Sequence, residues 1–212
     1  MKTDIHKNSE RGSTQINWLD SKHSFSFGEY YNPRKSGFGS LRVLNDDRIA
    51  PGQGFGMHPN KYVDIIAIVL EGQMEYKDNM NNDETLKKGD VHHLFAGTGI
   101  SHSETNPAED KELNFLQIRI ESKNANAQPY YEKKHFSLKN DEITVLASSY
   151  EKKSMNIEQD GCICRLQTKE KEEFSYKIHD IDNALYLFVI DGSVTLDKNI
   201  LEKKDAIGIW ET

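Results

Sequence analysis

The sequence predicts an all-β protein, a sandwich or a barrel, and three observations carry that prediction. Apolar side chains recur at strand spacing: Phe25 and Phe27, Met74 and Tyr76, then Phe115 and Leu116 with Ile118 and Ile120 fall mostly on one face. Turn signals cut the chain at short intervals, at Asn32-Pro33, Pro51-Gly52, Asp78-Asn79, Lys88-Gly89-Asp90, Gly97-Thr98-Gly99 and Asp191-Gly192. No segment longer than about twelve residues sustains a 3.6-residue period, which leaves room only for short helices.

The elements follow from where the breaks fall. His23–Tyr31 carries the alternating Phe25 and Phe27 and stops at Asn32-Pro33. Ser40–Leu44 is a second strand ahead of the Pro51-Gly52 turn. Val63–Leu70 holds the longest apolar run, Ile65 to Leu70, far short of the roughly 18 residues of a membrane helix. Gln73–Asp78 alternates and ends at Asp78-Asn79. Val91–Ala96 lies between two glycine turns, and Leu113–Ile120 follows. Cys162–Thr168 is next, and Leu185–Ile190 and Val194–Leu196 flank Asp191-Gly192. Lys169 to Glu173 is a mixed charge run and reads as an exposed turn.

The chain also repeats itself. Val69-Leu70-Glu71-Gly72-Gln73-Met74 returns as Val189-Ile190-Asp191-Gly192-Ser193-Val194, and Leu86 to Asp90 returns as Leu201 to Asp205. Two matched turns in the same order imply a duplicated hairpin unit, hence a duplicated β-domain. The join falls in the polar stretch Glu121 to Lys134.

Charge and composition narrow the function. Lys and Arg number 27 against 34 Asp and Glu, a net charge of −7, which disfavours a partner held by its phosphates or an anionic lipid surface. With 36% hydrophobic and 9% aromatic residues the chain is too apolar to be disordered. Met1 to Arg11 is charged and lacks the apolar core of a secretory signal. Two cysteines two positions apart, Cys162 and Cys164, are no disulfide framework. They read as a buried pair in a reducing cytoplasm.

Chemistry is sought first among the eight histidines. His6 reads as solvated in a charged tail, and His23, His135 and His179 as isolated surface or structural residues. His92 and His93 are adjacent on a strand, so at most one faces an interior. His58 and His102 differ. Residues i and i+2 of a strand share a face, so His58 pairs with Asn60 and His102 with Glu104. Two neighbouring strands would aim all four at one point. Two histidines, a carboxylate and open positions suit non-haem Fe(II), and also Mn, Ni or Cu.

These residues resemble the pirin family of the cupin superfamily. The resemblance rests on Phe25 to Pro33, Gly37 to Asp47, Pro51 to Phe55, Val69 to Gly72 and Ala96 to Glu104, in that order. It implies a bicupin: two tandem cupin-type β-barrels, at residues 1–125 and 126–212. By spacing, the second barrel is expected to be shortened at its C-terminal end and without a metal site, with the N-terminal segment or a partner chain covering its edge. The resemblance also implies one divalent metal in the first barrel, Fe(II) foremost, on His58, Asn60, His102 and Glu104. Asn60 stands where the family has a histidine, and Asp64 where cupins have a glutamate. Two outcomes are open: a weakened metal site, or a metal-free pocket. Some pirins are similar to quercetin 2,3-dioxygenases, and the resemblance thus implies a small aromatic substrate, a flavonol, with Glu104 as ligand and general base. Phe38, Phe55, Ile66, Ile68 and Phe95 are either its apolar lining or plain core. The alternative is a metal-poor, non-enzymatic pirin-like protein in a stress or regulatory role, acting through a protein partner or a homo-oligomer.

Overall fold

The computed structural model describes residues 1–124, 126–169, 171–180 and 182–211. Strand β1 (Lys2–His6) leads through a 3₁₀ turn at Asn8–Glu10 into the hairpin β2 (Gly12–Ile16) and β3 (Leu19–His23). Then come β4 (Leu41–Ile49), β5 (Gly54–Asn60), β6 (Val63–Glu71), β7 (Gln73–Asp78), β8 (Asp83–Lys87), β9 (Asp90–Phe95), β10 (Ile100–Thr105) and β11 (Leu113–Glu121). The remainder is β12 (Tyr130–His135), β13 (Glu142–Ser148), β14 (Cys162–Gln167), β15 (Leu185–Phe188), β16 (Val194–Leu196), β17 (Asn199–Leu201) and β18 (Ala206–Trp210). The prediction of an all-β chain holds. Among the described residues no helix is long and apolar enough to cross a membrane.

Two sheets build the first half. One has the order β12-β9-β6-β11-β4-β3-β2, the other β5-β10-β7-β8. They pack across a core of Ile49, Ile65, Ala67, Val69, Met74, Tyr76, Leu86, Leu94, Leu113 and Phe115. The opposite face of the larger sheet is covered too. Its Ile66, Ile68, Val91, Leu116 and Ile118 pack on Phe136, Leu146, Ala147, Met155 and Ile157. Burial on both faces explains why β6 and β9 read as nearly continuous apolar runs rather than clean alternations. It also corrects the expectation for the adjacent histidines: His92 and His93 point to opposite faces, and both are fully buried.

The repeat is real in three dimensions. Gly72 and Gly192 both sit at φ 78, the left-handed region that a tight hairpin needs. In the second turn the left-handed position is Gly89 in one copy and Lys204 in the other. The aspartate after it does the same work twice: Lys87 N–H donates to Asp90 at 3.0 Å, and Glu202 N–H to Asp205 at 3.2 Å.

The N-terminal segment does cross over. β1 pairs antiparallel with β18, Lys2 opposite Trp210, and completes the sheet β1-β18-β15. Ile5 packs on Val189, Leu201, Ile207 and Ile209. His6 is therefore not a solvated tail residue; it is buried beside Phe25 and Tyr186, with the Tyr186 hydroxyl 3.0 Å from its Nδ1. The strand expected at His23–Tyr31 is also corrected. β3 ends at His23, and Gly28, at φ 58, turns the chain so that Phe27 and Tyr30 bridge each other. Phe25 stays in the core.

Candidate functional site

The site residues come from β5 and β10, which are neighbours in the smaller sheet. The antiparallel register sets His102 opposite His58 and Ile100 opposite Asn60. The two imidazole rings lie 4.5 Å apart, centre to centre. Asn60 Nδ2 is 3.5 Å from His102 Nδ1, and His102 Nε2 is 3.9 Å from Glu104 Oε2. All four residues are thus adjacent. His102 and Glu104 are fully buried, Asn60 nearly so, and His58 half-buried at the mouth.

Each is held for a reason that can be read from its partners. The Nδ1–H of His58 donates to the Gly56 carbonyl at 2.8 Å, which fixes the ring and leaves Nε2 as its metal-facing nitrogen if a metal binds. His102 Nε2 is buried with no hydrogen-bond partner, a state that is costly unless something binds there. Burial pushes His102 down to about 4, even though Glu104 pulls the other way, so the ring is neutral at physiological pH. Burial also opposes the charge on Glu104. The hydrogen bond from His92 leads the opposing effects, to which the nearby His102 and the Arg119 guanidinium add, and together they bring that carboxyl down to about 2.

Glu104 is gripped at both oxygens. His92 Nε2 lies 3.2 Å from Oε1, and the Gln117 amide donates to Oε2 at 3.0 Å. Arg119 Nε donates to Gln117 Oε1 at 3.2 Å and orients that amide. Sequence reasoning missed these three residues and Asp47. The available signal was polar residues at positions 117 and 119, spaced by two, inside the otherwise apolar β11, and the polar run Asn45 to Asp47 in β4. Asp47, fully buried, accepts a short hydrogen bond from Ser21. Burial, with Glu104 and Asp46 nearby, pushes it up to about 7.

A cleft of about 270 Å³ opens onto this network, lined by Phe27, Asp47, Phe55, His58, Gln117 and Arg119. Of the five residues considered for an apolar lining, only Phe55 is there. Phe38 packs on Tyr186 and Trp210, Phe95 on Tyr130, and Ile66 and Ile68 lie on the far face of the sheet. Asp64 also faces away, bonded to His93 at 2.7 Å.

The donors fit a divalent metal in kind: the imidazoles of His58 and His102, one fixed carboxylate, and the Asn60 amide. The fit is one of donor type and adjacency. Among the described residues no three His, Cys, Asp or Glu side chains are gathered as a closed metal-holding group.

Comparison with known proteins identifies the family. Residues 5–120 match the pirin family, and residues 144–212 match the quercetinase C-terminal cupin domain. The chain is 37% identical over 209 residues to the quercetin 2,3-dioxygenase of Escherichia coli K12, covering 98% of this chain and 89% of that one. It is 33% identical over 204 residues to a putative quercetin 2,3-dioxygenase of Zymomonas mobilis, covering 94% and 86%. Among solved structures, the bacterial pirin YhhW of Escherichia coli in complex with nickel(II) superimposes with a TM-score of 0.94 at 35% identity, covering 100% of this chain and 91% of that one. The fold, the matched domains and these relatives together place the chain in the pirin family of cupin proteins.

Proposed function

We propose that this protein is a metal-dependent dioxygenase acting on a flavonol such as quercetin, with His58, His102, Glu104 and Asn60 as the metal's surroundings and Glu104 as the proton acceptor. The observation that carries the reading is the buried His102 Nε2, without a hydrogen-bond partner, beside an ionised Glu104 whose partner Gln117 lines the cleft with His58. The relatives' names and the nickel(II) complex support it. A bound divalent metal, Fe(II) foremost and Mn, Ni or Cu otherwise, would supply the Lewis acid that acidifies the flavonol hydroxyl.

The chain's own residues supply the rest. Glu104 is a carboxylate throughout the physiological range, so it is always ready to accept a proton. At about 2 it is a weak base, which acidification of the hydroxyl must offset. Gln117 and His92 fix both of its oxygens, so it needs no reorganisation during the reaction. Phe27 and Phe55 offer apolar faces to a planar ring, and Arg119, 5.5 Å above the Phe27 ring, stiffens that side. The test is metal retention after incubation with Fe(II), Mn(II), Ni(II) or Cu(II) and dialysis, then oxygen uptake with quercetin. A chain that keeps no metal sinks the reading.

One feature favours the second reading, a metal-poor pirin-like protein with a stress or regulatory role: Asn60 removes an imidazole from a set that is not gathered as a closed group. That reading predicts no retained metal. For either, we place the chain in a reducing cytoplasm, consistent with its two free cysteines.

A further inference from the structure

A second cluster of reactive groups lies in the C-terminal half, on β13 and β14 and the segment beyond. Cys162 and Cys164 share one face of β14, and their sulfurs are 3.6 Å apart. They are not the fully buried pair that the sequence suggests. Both are half-buried and line a cavity of about 370 Å³ with Val145, Tyr150, Tyr176 and His179. The Tyr176 hydroxyl is 3.1 Å from Cys162 Sγ, and His179 stacks on Tyr150 with ring centres 3.9 Å apart.

The two sulfurs are not equivalent. Cys164 S–H points its proton at Cys162, and the Tyr150 and Tyr176 hydroxyls also hydrogen-bond to Cys162. The Cys164 hydrogen bond leads, the tyrosines and the field of His179 add to it, and together they overcome burial and bring Cys162 down to about 5. The same bond pushes Cys164 up. A protonated Cys164 argues against a dithiolate metal clip, and among the described residues no third ligand is gathered with the pair.

We propose that Cys162 is a site of oxidation by small hydroperoxides, held as the attacking sulfur by Cys164, Tyr150 and Tyr176 in this cavity. The Cys162 sulfur attacks the terminal oxygen of the hydroperoxide. An S–O bond forms and the O–O bond breaks. Cys162 is oxidised by two electrons to a sulfenic acid, and the hydroperoxide is reduced to an alkoxide. That alkoxide leaves as the alcohol after taking a proton from the cavity, where Tyr176, Lys177 and His179 are the available donors.

Lowering a thiol's pKa raises its thiolate fraction but lowers its nucleophilicity, so at pH 7 the gain in rate is small. The pH profile is the sharper readout. An ordinary thiol near 8.5 gains roughly 75-fold in thiolate between pH 6 and 8. Cys162 is expected to gain less than about twofold. The experiment measures iodoacetamide labelling of the wild-type chain by peptide mass spectrometry at pH 6, 7 and 8. In parallel, hydrogen peroxide with dimedone is applied to Cys164→Ser and to Cys162→Ser. A flat profile at Cys162 is expected in the wild type, and a dimedone adduct at Cys162 in Cys164→Ser, where the Tyr150 and Tyr176 hydrogen bonds remain, that forms faster than the adduct at Cys164 in Cys162→Ser. Labelling of Cys162 that climbs tenfold or more from pH 6 to 8, or equal oxidation of the two cysteines, would overturn the proposal. The wild-type profile decides even if a variant folds poorly.

Discussion

Asn60 is the residue on which the candidate site turns. It stands 3.5 Å from His102, whose ring lies 4.5 Å from that of His58. Replacing it with histidine should tighten metal binding by at least the roughly tenfold that even an outer partner of a metal site is worth. Calorimetric titration of wild type and Asn60→His with Ni(II) checks this, and equal affinities would mean that residue 60 does not face the metal. Asp47 makes a second residue-scale prediction. Its folded-state pKa lies at about 7, above the ordinary 3.8, so within that window the folded chain holds a proton the unfolded chain has released. Its contribution to stability therefore falls as pH rises, by something on the order of 4 kcal/mol across the full window. Asp47→Asn should melt close to wild type at pH 4 and clearly above it at pH 8. The opposite order, or no difference at pH 8, would show that Asp47 ionises without penalty. That His58, Asn60, His102 and Glu104 come together was legible from strand spacing and the pirin resemblance; their role is the proposal above. The sequence hid His92, Gln117, Arg119 and Asp47, because they reach Glu104 from strands far apart in the chain and only register brings them together.

At the scale of elements, strands were legible where burial was one-sided or turns were marked. Gln73–Asp78 and Val194–Leu196 come out with the expected bounds, and Val63–Leu70 gains one residue. The polar and glycine-bearing strands were less legible, their bounds not readable from apolar alternation. β5 reads GFGMHPN and β12 reads YYEKKH, and each becomes a strand only because a neighbour supplies hydrogen bonds. The duplicated turn offers a controlled comparison. Gly72 and Gly192 share φ 78, but a Cβ on Gly72 would sit 2.4 Å from the Glu112 carbonyl oxygen, while one on Gly192 would meet nothing within 4 Å. Gly192→Ala should cost about 1–2 kcal/mol, the left-handed backbone alone. Gly72→Ala should cost at least about 1 kcal/mol more, because β11 must shift. Urea midpoints of the two variants test this, and equal losses would contradict it.

At the scale of the whole molecule, strands distant in sequence are tied together. β1 pairs with β18 near the other end of the chain, and β12 extends the larger sheet beside β9. The repeated turns were legible, and the crossing of β1 was open as one of two ways to cover an edge. What the sequence did not convey was the apolar layer between the larger sheet and Leu146, Met155 and Ile157, since its residues look like ordinary strand faces until the halves meet. Removing residues 1–6 uncovers β18 and strips Ile5 from its cluster. The truncated chain should melt at least about 4 °C lower and scatter light on heating, because an unpaired edge invites association. An unchanged melt would mean β1 is not part of the stable fold.

The most direct test of the central claim compares wild type with Glu104→Gln, both loaded with the same metal to the same measured content. Oxygen uptake is then followed with quercetin in excess. The account predicts quercetin-dependent uptake by wild type and a loss of roughly 10²- to 10⁴-fold in the variant, the range spanned by a positioned acid–base group. Uptake by Glu104→Gln equal to wild type, or none by metal-loaded wild type, would contradict it.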